Sequence, residues 1–210
     1  MFQHAAMTTA PLNPARPDGK LPHYILAGGR SRRFGQDKAR FEIEGKPMLL
    51  RVAEAFSAWS SSTVVVAQTA AIYDDLGFPT IADTGANLGP LAGLKAALEH
   101  ATKDADTEKP ASGPTWILLT SCDLVQPAAA MINPLVDNIG PGHVASVFRR
   151  ADIFEPFPGL YSTAALDAVD RILHSPKRSF QSLFRELGSQ LVSAPLPGWQ
   201  SDLDMNFPPT

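Results

Sequence analysis

The sequence predicts an α/β fold, with a mainly parallel sheet covered by helices on both faces. Three observations predict it. Short apolar runs of strand type alternate with segments of helical period through most of the chain. Runs such as Val64-Val65-Val66 are continuously apolar, as strands buried on both faces are. The first run, His23 to Ala27, closes on Gly28-Gly29, a buried strand running into a glycine turn. Such a sheet takes ligands beyond the carboxyl ends of its strands, where the strand order switches.

The elements follow in chain order. Met1 to Lys20 is rich in Ala, Pro and Thr without any period and reads as a disordered tail. Residues 21–210 read as a single domain. After the first strand and its loop, Met48 to Trp59 repeats Leu49, Val52, Ala53 and Phe56 at helical spacing. Thr63 to Ala67 is the next buried strand, Ala70 to Leu76 a short helix and Phe78 to Ala82 a short strand. Pro90 to Ala101 reads as a helix, because a proline's fixed φ and missing N–H suit a first turn. The polar stretch Thr102 to Pro114 reads as a surface loop. Trp116 to Leu119 is another buried strand, ending at Thr120-Ser121. Ala128 to Asn138 is read as helical although Pro134 lies inside it. Val144 to Phe148 is a strand, and Ala164 to Leu173 and Phe180 to Leu187 are helices. There is no internal repeat.

Composition narrows the function classes. In 210 residues, 44% are hydrophobic and 19% charged, which is ordinary for a soluble globular chain able to bury a core. The lone cysteine, Cys122, excludes an intrachain disulfide and a CxxC-type zinc site. A net charge of -3 and a pI near 5.9 make a nucleic-acid backbone a poor default partner. No run approaches the roughly 20 apolar residues of a membrane span, and the N-terminus lacks the basic-then-apolar pattern of a secretory signal. The expectation is a cytoplasmic protein with neither nucleic-acid nor membrane partners.

The informative segment is Leu26-Ala27-Gly28-Gly29-Arg30-Ser31-Arg32-Arg33-Phe34-Gly35-Gln36-Asp37-Lys38. Glycines at a strand's end let the backbone approach a phosphate and aim N–H groups at it. Arg30, Arg32, Arg33 and Lys38 then supply cations suited to a polyphosphate. The spacing is neither GxGxxG nor GxxxxGK[ST], which disfavours a standard dinucleotide or Walker-type site. Spacing alone leaves a phosphate cradle and a solvated basic turn about equally weighted.

This segment resembles the LAGG-x-S-x-R-M-G-x-D-K signature of the MobA-like nucleotidyltransferases, and within them most resembles the molybdenum cofactor guanylyltransferases. Further matches occur in family order over about residues 21 to 208. They are Glu44-Gly45-Lys46-Pro47-Met48-Leu49, Asp83 with Leu88-Gly89-Pro90-Leu91-Ala92-Gly93, Ser121-Cys122-Asp123, Pro158-Gly159-Leu160-Tyr161, and Leu203-Asp204-Met205-Asn206-Phe207-Pro208. Val125-Gln126 replaces the usual proline after the C-D pair, and Asp204 and Phe207 stand where Asn and Thr are usual.

The resemblance implies a Rossmann-like three-layer α/β/α nucleotidyltransferase fold and an enzyme that joins GMP from GTP to molybdopterin, releasing pyrophosphate. It implies Mg²⁺ as cofactor, GTP and molybdopterin or its molybdenum complex as substrates, and transient contact with other molybdenum-cofactor proteins or molybdoenzyme chaperones. It assigns catalysis to Lys38, Arg33 and Asp123. Nucleotide binding falls to Leu26, Ala27, Gly28, Gly29, Arg30, Ser31, Lys38, Asp83, Gly89, Pro90, Leu91 and Asp123. Asp123 and, more weakly, Asp204 are the expected metal ligands.

Chemistry supports several of these roles. A carboxylate at a strand's carboxyl end suits Mg²⁺, although a turn or helix-cap aspartate looks the same in sequence. Asp83 could accept hydrogen bonds from guanine N1 and N2, or could simply turn the chain before Thr84-Gly85. Gly89 and Gly93 allow close backbone approach, with Leu88 and Leu91 as packing. Cys122 reads as a small buried residue and Tyr161 as core. The histidines share no ligand spacing, and the acceptor is expected near Arg178, Ser179 and Ser182.

The rival enzymes are molybdopterin cytidylyltransferase, whose relatives carry L-A-A-G in the first loop, and sugar-phosphate nucleotidyltransferases. Outside enzymes, the rival is a non-catalytic nucleotide-binding adaptor. The retained Lys38 and Asp123 argue against it.

Overall fold

The structure, a computed structural model, describes residue 17 and residues 19–27, 36–83, 85, 88–108 and 114–196, with residues 105–108 as backbone. Nine strands are present among them: β1 (Leu21–Leu26), β2 (Glu42–Ile43), β3 (Lys46–Pro47), β4 (Ser60–Ala67), β5 (Thr80–Ala82), β6 (Trp116–Ser121), β7 (Ala145–Arg150), β8 (Ile153–Ser162) and β9 (Leu191–Pro195). The helices are α1 (Met48–Ala55), α2 (Pro90–Glu108), α3 (Ile132–Asp137), α4 (Leu166–Leu173) and α5 (Phe180–Leu187).

Seven strands form one sheet in the order β5-β4-β1-β6-β8-β7-β9. Only β8 runs against its neighbours β6 and β7, so the sheet is mainly parallel. The chain moves outward from β1 through β4 to β5, and α2 then returns it to β6 on the other side of β1. That reversal puts the switch in strand order between β1 and β6.

Each central strand is apolar on both faces, which explains the uninterrupted runs in the sequence. Tyr24, Leu26, Val64, Val66, Ile117 and Leu119 face α2, α4 and α5. Leu21, Ile25, Val65, Ala67, Trp116 and Leu118 face the layer that holds α1 and α3. The result is the three-layer α/β/α arrangement. Among the described residues, no helix is long and apolar enough to cross a membrane.

Several boundaries differ from the sequence reading for identifiable reasons. The stretch Thr102 to Glu108 is not a loop, because it is the last part of the 19-residue α2. Thr102 to Asp104 are exposed on the helix: Thr102 Oγ1 donates to Leu98 O at 2.9 Å, and His100 Nδ1 lies 3.1 Å from Asp104 Oδ2. Residues 70–76 form no α-helix, only a 3₁₀ turn at Asp74–Leu76, where the Asp74 carboxylate accepts the Thr80 N–H at 2.9 Å. The expected helix to Trp59 stops at Ala55 and finishes as a 3₁₀ turn, Ser57–Trp59. Pro134 is accommodated because α3 starts at Ile132, which leaves the proline in the first turn.

Candidate functional site

The ladder continues past the carboxyl ends of the central strands. Ala27 N–H donates to Val66 O at 2.9 Å, Asp83 N–H to Ala67 O at 2.7 Å, and Cys122 N–H to Leu26 O at 3.0 Å. These bonds hold three post-strand segments side by side at the switch in strand order, and the polar side chains of the site rise from them.

Lys38 and Asp123 meet here. The Lys38 ammonium donates to Asp123 Oδ2 at 2.8 Å across 85 positions of sequence. Both side chains are only 16% exposed, so solvent screens the pair less than a surface ion pair. The Ser121 hydroxyl donates to the other carboxylate oxygen, Oδ1. The last residue of β6 thereby orients the aspartate that follows the strand.

The turn that carries Lys38 is itself anchored. Asp37 Oδ1 accepts the Ala39 N–H at 3.0 Å, which fixes a local turn. The Tyr73 hydroxyl, from the connection between β4 and β5, reaches both Asp37 oxygens, at 3.0 and 3.1 Å. It also lies 3.4 Å from Ala27 O at the end of β1. Arg40 makes a two-pronged contact with Asp75, both prongs at 2.8 Å, and donates to Ile72 O at 2.8 Å. Its guanidinium lies 5.3 Å from the centre of the Tyr73 ring. Burial, and then the Asp37 charge, push the Tyr73 phenol above its usual range, so it stays a donor.

Asp83 is half-buried after β5, and its Oδ1 accepts the Gly85 N–H at 3.3 Å. Gly89 has a φ of 74°, a conformation that favours glycine, immediately before Pro90 opens α2. Gly93 belongs to α2 rather than to a loop. A Cβ there would lie 2.8 Å from a Leu26 methyl, so this glycine serves helix-on-strand packing. Leu26 and Leu91 are buried core residues, 6% and 1% exposed, and their side chains do not open to the cleft.

Cys122 is buried, and burial followed by the Asp123 charge raises its thiol pKa far above the thiolate range. Tyr161 is core and donates to Pro156 O at 2.9 Å. Near the expected acceptor region, Ser179 caps α5: its hydroxyl accepts the Ser182 N–H at 3.1 Å and lies 3.0 Å from the Ser182 hydroxyl. Arg178 Nε donates to Ser175 O at 3.3 Å. Gly28, Gly29, Arg30, Ser31, Arg33 and Asp204 lie outside the described residues.

Sequence reading missed Asp37, Ser121 and Tyr73 as parts of the site. Asp37 and Ser121 stand inside matched motif segments, where the resemblance assigned them no role. Tyr73 carries no local signal, because only the fold brings it to Asp37.

Among the described residues no group of three or more His, Cys, Asp or Glu could hold a metal ion. Asp123 and the Ser121 hydroxyl nonetheless offer hard oxygen donors beside one another. That sparse set fits a small hard cation such as Mg²⁺, which keeps several waters and takes its remaining ligands from substrate phosphates.

Known proteins resemble this chain in sequence and in fold. Residues 23–191 match the family model for the MobA-like NTP transferase domain. A protein of Opitutus terrae named as a probable molybdenum cofactor guanylyltransferase is 32% identical over 81% of this chain and 83% of its own length. Among solved structures, an Aquifex aeolicus protein superposes with a TM-score of 0.68 at 23% identity, covering 89% of this chain and 93% of its own. The molybdopterin-guanine dinucleotide biosynthesis protein A of Archaeoglobus fulgidus gives 0.64 at 22% identity, covering 90% and 93%. With the family domain matched across most of the sheet, and the fold shared with these structures, the chain belongs to the MobA-like NTP transferase family.

Proposed function

We propose that this chain transfers GMP from GTP to the phosphate of molybdopterin and releases pyrophosphate, as a Mg²⁺-dependent molybdenum cofactor guanylyltransferase. The observation that carries the reading is the Lys38–Asp123 pair at the switch in strand order, 2.8 Å apart and oriented by Ser121 and Asp37. A triphosphate needs a cation to neutralise it and a carboxylate to hold its metal, and this pair supplies both side by side. The name of the Opitutus terrae relative supports the choice of guanosine and of the molybdenum cofactor.

The acceptor is a phosphate monoester, anionic at neutral pH, so its oxygen attacks the α-phosphorus of GTP without a strong general base. The new P–O bond forms in line as the bond to the β-phosphate oxygen breaks, and pyrophosphate leaves with that electron pair. Lys38 exchanges its partner Asp123 for the triphosphate and offsets charge growing on the transferred group and leaving group. Asp123 and the Ser121 hydroxyl would hold Mg²⁺, whose chemistry here is to neutralise and orient phosphate oxygens. Asp83, half-buried just past β5, reads the N1 and N2 donors of guanine. Arg33, Gly28, Gly29, Arg30 and Ser31 complete the phosphate cradle, and Asp204 is the second metal-site candidate.

The test is pyrophosphate release by the purified protein with Mg²⁺ and molybdopterin, comparing GTP, CTP, ATP and UTP. Release with GTP alone is expected. Release with CTP alone would move the chain to cytidylyl transfer, and release with none would end the catalytic reading.

A further inference from the structure

Tyr73 belongs to a segment that none of the motifs covers, yet it touches two residues of the first motif. Its hydroxyl is 3.4 Å from Ala27 O, just past β1, and 3.0 and 3.1 Å from the carboxylate of Asp37, which precedes Lys38. The side chain is 4% exposed, so these polar contacts are shielded from water. The neighbouring turn holds the other side of the same unit, since Arg40 is tied to Asp75 and to Ile72 O and covers the Tyr73 ring. Lys38 therefore sits between two residues, Asp37 and Arg40, that are both bonded to the segment Ile72 to Asp75.

We propose that Tyr73 is a positioning residue for Lys38: its hydroxyl donates to Asp37 and holds the turn there, so that the ammonium reaches the triphosphate beside Asp123. This rests on the proposed function for the identity of the ligand, but the coupling itself does not require that the ligand be GTP. The chemistry is that of a charge-assisted hydrogen bond. A phenol donating to a carboxylate fixes direction as well as distance, and a phenyl ring of the same size keeps the packing while losing both.

The experiment is a double-substitution cycle on the full chain with Tyr73→Phe and Lys38→Ala, read as kcat/KM for pyrophosphate release. Tyr73→Phe alone is expected to lower kcat/KM by about tenfold, with a melting temperature close to that of the wild type. In the Lys38→Ala background the same change is expected to have no further effect, because the residue it positions is gone. Asp37→Asn, which keeps an acceptor for the Ala39 N–H, is expected to follow Tyr73→Phe. An equal loss in both backgrounds, or none in either, would overturn the proposal, since a merely structural tyrosine acts whether or not Lys38 is present. If the wild type releases no pyrophosphate with any nucleotide, the proposed function fails. The same cycle is then read in GTP affinity by calorimetry, where non-additive losses support the clamp and additive or absent losses overturn it.

Discussion

The sheet is held in two different ways on either side of β6. Toward β1 and β4, its carboxyl edge is organised by directional bonds between remote segments: Lys38 to Asp123, Tyr73 to Asp37, Arg40 to Asp75. Toward β8 and α5, contacts are made by rings. Phe154 lies 5.5 Å from Phe184, Phe157 lies 5.3 Å from Phe180, and Tyr161 lies 6.1 Å from Phe180. Hydrogen bonds and ion pairs fix the angles and charges that chemistry requires, whereas ring packing stabilises through buried area with looser geometric demands. The difference separates activity from stability within one sheet. Substitutions on the two sides should therefore fail in different assays.

The largest expected effect is on the polar side. Asp123→Asn removes the carboxylate charge while keeping size, and turnover is expected to fall about a thousandfold, roughly 4 kcal/mol of transition-state stabilisation. Turnover within tenfold of wild type would take Asp123 out of the chemistry. On the aromatic side, Phe184→Ala leaves a void in place of a ring that is 2% exposed. It is expected to lower unfolding free energy by about 3–4 kcal/mol in denaturant titration, with little change in turnover per folded molecule. Comparable losses of turnover from both substitutions would erase the division between the two sides. Lys38→Ala comes next, with an expected loss of about a hundredfold, near 2.7 kcal/mol, smaller than for Asp123 because the other cations of the loop remain.

The smallest effect concerns a buried polar pair within the sheet. His23, on β1, is fully buried, and its Nε2 lies 2.9 Å from Thr120 Oγ1 on β6. Burial lowers its pKa to about 3 from 6.5, so it folds neutral. Between those values the unfolded chain binds a proton that the folded chain refuses. Stability is complete above 6.5 and falls as pH drops, by at most about 1.4 kcal/mol per pH unit. His23→Gln should flatten the fall in melting temperature between about pH 7 and about pH 5. Parallel curves for the two proteins would assign acid sensitivity elsewhere.

The parallel core was readable because its signal is local. Val64-Val65-Val66 and Trp116 to Leu119 are apolar on both faces, and few other structures use such runs. β8 was partly hidden, since Pro156, Pro158 and Gly159 interrupt a ten-residue strand that reads as turn chemistry outside its motif. β9 was hidden altogether: Leu191–Pro195 is an edge strand in which only Ala194 is buried, so it lacks the continuous buried run that marks the central strands. At the candidate site, Lys38, Asp83 and Asp123 could be named from the sequence because motif spacing is linear information. Tyr73 was not, because its contact with Asp37 spans 36 positions and exists only once β4 lies beside β1.

Gly93 shows how little material sets a dimension of this cleft. In the folded chain the missing methyl is a measured gap: α2 settles onto Leu26 at a distance that an alanine could share only if the leucine gave way. Leu26 accepts the Cys122 N–H through its carbonyl and leads directly into Ala27, whose own carbonyl faces Tyr73. A shim of one carbon at position 93 would therefore bear on the strand end that holds both the carboxylate segment and the carbonyl facing Tyr73. The tolerance of the site is set by an atom that is not there.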